Sequence, residues 1–426
     1  MTSTPTERPQ EVAEVDQTVF WLGLFYALIG VASFAAWALI GDGDGARNRS
    51  PIDLPPFFGL LAIFAAISLG LRSNTIRFRL TLPEKVAAGV LGVAIVYGIA
   101  MNATHPQFAI NGLSMRATHL LAAMGLCYIL SRTTTATSEF IIGTIPAQTL
   151  LHMPIVVWLY VFHVHDPSIN WAGGPIGYWH VRIWGMILAA GLCATIGIYA
   201  AHPKAALPGH ILTFVVLFLL STALFWSGGR AALLGVGGAV ILSTILLPGA
   251  FLRALPLVLA ALVAGAGTSL VLDVPYDSYG ALNSLLRSTQ VASGDALASG
   301  RLDIWREALA EAMDHPYFGH GFDQYFFGST EEGLRHSQPH NFIVQFIYDF
   351  GFLGGAAALF LLLSLWVRGV ARTVQGHESW KYGALSASIC LGVMALLDGA
   401  MYHNDPLLAV AICFAVLLAR PEDRSA

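Results

Sequence analysis

The sequence predicts an all-α polytopic membrane protein of about twelve spans with one large polar loop. Three observations carry this. Of the 426 residues, 56% are hydrophobic and only 11% charged, against roughly 25% charged in a soluble domain; mean hydropathy is +0.65. Apolar runs near the ~20 residues of a bilayer crossing recur at 19–40, 55–71, 86–104, 115–131, 139–162, 181–201, 208–225, 230–247, 254–272, 341–367, 382–400 and 404–419. From about Asp273 to His340, in contrast, the chain is polar enough to fold in water.

In order along the chain, 1–272 reads as nine spans with short loops, 273–340 as the large loop, and 341–426 as three spans and a short tail. Met1 to Thr18 lack a basic leader, and the apolar run that follows is long enough to stay in the membrane as a span. Pro146 and Pro154 predict a kink in the fifth span. Cys127, Cys193, Cys390 and Cys413 all fall in apolar runs, so neither a disulfide framework nor a thiolate metal site is expected. The net charge of −4 carries no information on partners, because orientation depends on where Lys and Arg sit; no nucleic-acid partner is expected. The connectors 72–85 (Arg72, Arg77, Arg79, Lys85) and 368–381 (Arg368, Arg372, Lys381) are basic and read as cytoplasmic. One span separates the second connector from the large loop, which therefore reads as extracytoplasmic. Counting spans from the loop brings Arg230 and the turn Tyr402, His403, Asn404, Asp405 to the same side.

Within the loop, 273–298 shows no strong period. From Arg301 the apolar residues Leu302, Trp305, Ala308, Leu309, Ala312 and Met313 recur at helical spacing, predicting an amphipathic helix over 301–314. Ser299 is placed to cap it, Asp303 sits in its first turn, and His315-Pro316 ends it. Arg301 then lies in a first turn whose free N–H groups already favour an anion.

Each candidate has two readings. Arg230, opening a span after two glycines, is either an interfacial arginine reaching headgroups or a forked clamp for diphosphate oxygens. His340-Asn341 is either a capping pair or the seat of a general base, with His336 as a second histidine. Asp42, Asp44 and Asp53 form a solvated loop or, alternatively, a divalent-cation site. His163 and His165 lie two apart and so do not share a helix face, which weakens a metal reading there. Arg116, His119, His152 and Asp398 are ionisable residues within spans, and such residues are functional candidates by default.

The ordered segments Ser299-Gly-Arg-Leu-Asp-Ile-Trp305, His315-Pro-Tyr-Phe-Gly-His-Gly321, Pro339-His-Asn341 and Asp349-Phe-Gly-Phe-Leu-Gly354, with Ser227-Gly-Gly-Arg-Ala-Ala-Leu-Leu-Gly235 upstream, resemble the O-antigen ligase/polymerase superfamily. The resemblance implies a membrane glycosyltransferase of the second GT-C class. Its donor would be a glycan on polyprenyl (undecaprenyl) diphosphate, used without metal or other cofactor. It also implies Arg230 and Arg301 as diphosphate binders, His340 as the base, and further substrate contacts at Ser227, Gly319, Gly321, His336 and Asn341. The expected function is ligation of a preassembled glycan, with inversion, to lipid A-core at the periplasmic face of a bacterial inner membrane, both termini being cytoplasmic. The same resemblance leaves open a polymerase joining carrier-linked repeats and a protein O-glycosylating enzyme. A lipid-linked glycan transporter, from a different class, would predict an internal repeat and broken midplane helices, and no convincing repeat is seen.

Overall fold

The computed structural model describes residues 7–40, 54–73, 80–166, 169–171, 177–178, 180–202, 204, 206–277, 279–289, 301–327, 329–330, 333–334 and 338–420. His336, Ser299, Asp42, Asp44 and Asp53 lie outside the described residues.

The fold is almost wholly helical. Each of the twelve apolar runs falls on one helix: α1 (Glu7–Ile40), α2 (Pro55–Ser73), α3 (Leu82–Tyr97, continued by a π-helical turn Gly98–Asn102), α4 (Pro106–Leu130), α5 (Thr135–His163), α6 (Val181–Ala201), α7 (Leu207–Ser227), α8 (Arg230–Leu246) and α9 (Pro248–Ser269), then after the loop α12 (Phe342–Gln375), α13 (Tyr382–Leu397) and α14 (Asn404–Leu418). Among the described residues nine of these are long and apolar enough to cross a membrane; α2, α8 and α14 are shorter apolar helices. The loop carries α10 (Ala281–Thr289) and α11 (Arg301–Ala312). It also carries one two-rung antiparallel ladder, β1 (Ser329–Thr330) on β2 (Gly333–Leu334), the exception to an all-α description.

Helix α6 is the axis of the bundle. Most of its residues are buried, and it touches α13 so closely that a Cβ on Gly197 would overlap the Tyr382 carbonyl. With lipid as apolar as leucine, such close backbone approach through small residues is what holds spans together. α5 runs unbroken through Pro146 and Pro154, and Gly191 of α6 fits against Pro146 with room for no larger residue.

Two chain faces are separated by the bundle. On one, the Arg368 guanidinium of α12 bonds Glu84 of α3, to which Ser364 Oγ donates at 2.7 Å. Lys381 Nζ caps the end of α14 by donating to Leu417 O at 3.0 Å and Ala419 O at 2.9 Å, a favourable place for a cation. Among the described residues, the start of α3 and the end of α12 with Lys381 therefore share a face. On the opposite face lie the loop helices and the turn between α13 and α14.

The loop departs from expectation in two places. α10 occupies a stretch with no strong period over its length, although Leu282, Leu285 and Leu286 hold helical spacing within it. It docks by its polar side, Ser284 Oγ donating to Gly228 O at 2.9 Å, and leaves the three leucines exposed. α11 ends at Ala312 rather than 314 and rests on α12 through Ile304, Trp305, Ala308 and Leu309 against Val344 and Tyr348; Met313 faces out.

Candidate functional site

A break in α12 organises the loop face. Gly351 adopts φ 69°, ψ −179° inside the helix, a conformation essentially reserved for glycine. The break frees the Tyr348 and Asp349 carbonyls, which accept from His320 N and Gly321 N, both at 2.9 Å, while the freed Phe352 N–H donates to Pro316 O at 2.7 Å. The Gly-x-Gly turn thus docks edge-on against the gap in the helix. Gly319 and Gly321 both have positive φ, and a Cβ on Gly319 would overlap the backbone of Asp349, Phe350 and Gly351. Asn102 Nδ2 donates to Gly319 O at 2.6 Å, tying the turn to the end of the α3 segment. The two glycines of the loop motif therefore set the position of the loop.

The docked loop presents α11 to the start of α12. Trp305 Nε1 donates to Pro339 O at 2.8 Å. His340 follows in the left-handed region, φ 56°, where a non-glycine residue is uncommon. Asn341 then caps α12, its side-chain oxygen accepting from Ile343 N at 2.9 Å and Val344 N at 3.2 Å. The turn aims His340 Nδ1 at Asp398 Oδ1, 3.0 Å away. Asp398 ends α13 and receives two further donors, Arg301 from the first turn of α11 at 3.1 Å on Oδ2 and Gly399 N at 2.8 Å on Oδ1. The carboxylate is only 5% exposed, and Arg301 and His340 are 16% and 13% exposed. Burial alone would raise the Asp398 carboxyl, but the hydrogen bond and charge of His340, then Arg301 and Arg182, hold it well below the usual range.

Around this triad, Gln338 Nε2 lies 3.2 Å from His403 Nε2. Arg116 grips Asp323 with both terminal nitrogens, at 3.1 and 3.3 Å, and its guanidinium sits over the Tyr402 ring, 4.9 Å from the centroid. Burial, with help from the charges of His340, His180 and Arg116 and against that of Asp398, pushes His403 down to about 4. The sign of the consequence is fixed by linkage. The unfolded chain takes a proton on this imidazole near pH 6.5, the folded chain only near 4, so stability falls as pH falls through that window. His403→Gln should flatten the pH slope of the unfolding free energy between pH 6.5 and 4, by at most about 1.4 kcal/mol per pH unit for one proton, read as a flatter thermal midpoint against pH. An unchanged slope would show that His403 does not titrate with folding.

Arg230 opens α8 after the left-handed Gly228. Gly235, one turn and a half further on, lies against Cys390 and Met394 of α13. At 1.5 Å per residue, Arg230 stands about 7.5 Å from that contact toward the loop face, and Asp398 lies about 6–12 Å from it in the same direction, counted from Met394 or Cys390. Arg230 and Asp398 therefore lie toward the same face on neighbouring helices. Ser227 is buried, its hydroxyl donating to Leu224 O at 2.7 Å and accepting from Gly229 N at 3.4 Å, which shapes the α7–α8 turn. His152 packs edge-on against Tyr178, ring centroids 5.1 Å apart, deep in the bundle, and His163 pairs with Asp166 at 3.2 Å.

The structure thus brings Arg301 and His340 together, puts Arg230 toward the same face of the bundle, and places Gly319, Gly321, Ser227 and Asn341 in turns on that face. Sequence reasoning did not place Asp398 between the arginine and the histidine. Its signal was an acidic residue near a span end, four residues before the turn at 402–405.

Residues 215–359 match the family model described as O-antigen ligase. No curated protein matches the chain.

Proposed function

We propose, from the membership of residues 215–359 in the O-antigen ligase/polymerase superfamily, that this chain transfers a glycan from polyprenyl diphosphate to a sugar hydroxyl at the loop face. The observation that carries the reading is the joint grip of Asp398 on Arg301 and His340 at 3.1 and 3.0 Å, which holds an anion ligand and a proton acceptor side by side at one end of an apolar bundle.

The chemistry follows from those groups. Asp398 accepts the Nδ1 proton of His340, which leaves the Nε2 lone pair as the basic one. The acceptor hydroxyl oxygen attacks the anomeric carbon and gives its proton to Nε2. The bond from that carbon to the diphosphate oxygen breaks on the opposite side, and its electron pair leaves with the diphosphate, so the anomeric centre inverts. A diphosphate is a good leaving group and needs no general acid. It does need its growing charge neutralised, the role assigned to Arg301, Arg230 and the first turn of α11. A forked guanidinium suits this better than an ammonium. The apolar bundle takes the polyprenyl tail, the basic connectors face the cytoplasm, and the loop faces the periplasm of a bacterial inner membrane. Twelve spans would put both termini on the cytoplasmic side. The class proposed for such an enzyme is the second GT-C class, and the acceptor proposed is lipid A-core.

Purified protein should move glycan from undecaprenyl diphosphate to lipid A-core in EDTA, with no second glycan acceptor present. Lengthening of carrier-linked chains with the core left bare would make it a polymerase. A requirement for added divalent metal would overturn the role given to the arginines.

A further inference from the structure

The loop end of α6 carries a further arginine. Arg182 stands in the first turn, where His180 Nδ1 caps the helix by accepting from the Arg182 N–H at 3.0 Å. From Arg182 one stripe of α6 runs through Gly185, Ala189 and Cys193, at the three- and four-residue spacing that shares a helix face. A Cβ on Gly185 would stand 3.4 Å from Ser227 Oγ and 3.8 Å from Ala232 Cβ, on either side of Arg230 in sequence. Cys193 meets Cys390 of α13, and Gly197, a turn further on, meets Tyr382. Arg182 therefore heads the seam along which α6 packs against both α8 and α13.

Its height on that seam is close to that of Asp398. At 1.5 Å per residue, Arg182 and Asp398 lie about 22 and 24 Å from the Gly197–Tyr382 contact toward the loop face, and about 16 and 12 Å from the Cys193–Cys390 contact. The Arg182 charge reaches the Asp398 carboxylate, behind those of His340 and Arg301. Three arginines from separate elements are thus set around the loop end of one seam: Arg301 of α11, Arg230 of α8 and Arg182 of α6. Two bland roles for Arg182 fit poorly. It is not a buried structural counter-ion, since it is exposed, its guanidinium has no hydrogen-bond or ion-pair partner among the described residues, and Asp398 already accepts from His340, Arg301 and Gly399 N. Nor is it placed to reach lipid headgroups, a role for helices on the perimeter, because α6 is the axis of the bundle and most of its residues are buried.

We infer that Arg182 is a third ligand of the donor diphosphate, an assignment that rests on the transferase reading above. Charge explains why a third is needed. A polyprenyl diphosphate glycoside bears one negative charge on each phosphate and gains another as the diphosphate leaves. Arg301 is half of an ion pair with Asp398, and that couple is neutral as a whole. Arg230 then offers one cation to two phosphates, and Arg182 supplies the second. A guanidinium with no bonded partner in the fold can turn its fork to phosphate oxygens without first breaking a contact.

The test is calorimetric binding to the full-length protein in detergent and EDTA, with undecaprenyl diphosphate as one probe and undecaprenyl monophosphate as the other. Arg182→Gln should weaken the diphosphate about tenfold or more, and leave the monophosphate, which Arg230 and Arg301 can hold between them, within about threefold of wild type. Arg182→Lys returns the charge without the fork and should recover part of the loss. The thermal midpoint should stay in place in both variants, because the guanidinium holds no contact in the described fold. Diphosphate affinity unchanged in Arg182→Gln overturns the assignment. So does an equal loss of both probes, which would make Arg182 a source of general positive potential, or a midpoint that falls with the affinity. Excess phosphatidylglycerol that displaces undecaprenyl diphosphate from wild type but not from Arg182→Gln would give the residue to headgroups and overturn it too. The transfer assay reads the functional proposal separately: diphosphate binding that depends on Arg182, without any glycan transfer, would sink the transferase reading and leave this site standing.

Discussion

Arg301→Ala should lower glycan transfer at least a thousandfold, while the protein still inserts into membranes and is extracted with wild-type yield. The size follows from the role. Removing one donor aimed at developing charge costs about 10²–10³ in other enzymes, and Arg301 is asked to supply both a full charge and a fork. A second cost has to be separated. Arg301 also neutralises Asp398, a nearly buried carboxylate, and breaking such a pair destabilises a fold by about 3–5 kcal/mol when the remaining charge has no other partner. Asp398 retains His340 and the Gly399 N–H, so the loss here should be smaller. Arg301→Lys distinguishes the two effects. The ammonium keeps the charge near Asp398 and should restore the thermal midpoint, yet it cannot offer two parallel N–H bonds to a phosphate and should remain about a hundredfold slow. Lysine at wild-type rate would reduce the arginine to a structural counter-ion. Arg230→Ala, in contrast, leaves the Asp398 ion pairs in place, so its activity loss should come with little change in stability.

The legibility of this protein divides by the kind of physics involved. Spans are written in composition, since a run of about 20 apolar residues has few alternatives to a membrane helix, and all twelve runs fall on helices. The start of α3, which follows the first basic connector, meets the end of α12 through the Glu84–Arg368 contact. Contacts between distant segments carry no such local code. Nothing in the spacing of His315-Pro-Tyr-Phe-Gly-His-Gly321 says that its amides fill the gap left in α12 at Gly351, although both motifs stood out as glycine-rich. Asp398 was visible as a charge near a span end, but its partners are 97 and 58 residues away in sequence. The bond pairing Arg116 with Asp323 spans 207 residues. Short α10 was hidden because three leucines among polar residues make a weak signal in a nine-residue helix.

His340→Ala and Asp398→Asn should each slow the chemical step about 10²–10⁴-fold with little change in the affinity for undecaprenyl diphosphate, and the double variant should be no slower than the worse single. The last clause is the informative one. If Asp398 acts by holding Nδ1–H and so fixing which nitrogen is basic, it has nothing to do once the imidazole is gone, and the two losses cannot add. If Asp398 instead serves the reaction through Arg301 alone, the losses multiply. Asparagine is the useful replacement because its amide oxygen can still accept from Gly399 N, keeping the end of α13 in place while the charge is removed. The backbone makes a separate demand at position 340, whose φ of 56° suits asparagine better than alanine. His340→Asn therefore controls for strain: it should be as inactive as His340→Ala but closer to wild type in thermal midpoint. The neighbouring His336 supplies the remaining contrast. Transfer lost in His336→Ala and retained in His340→Ala would move the base out of the Asp398 grip and take the mechanism with it.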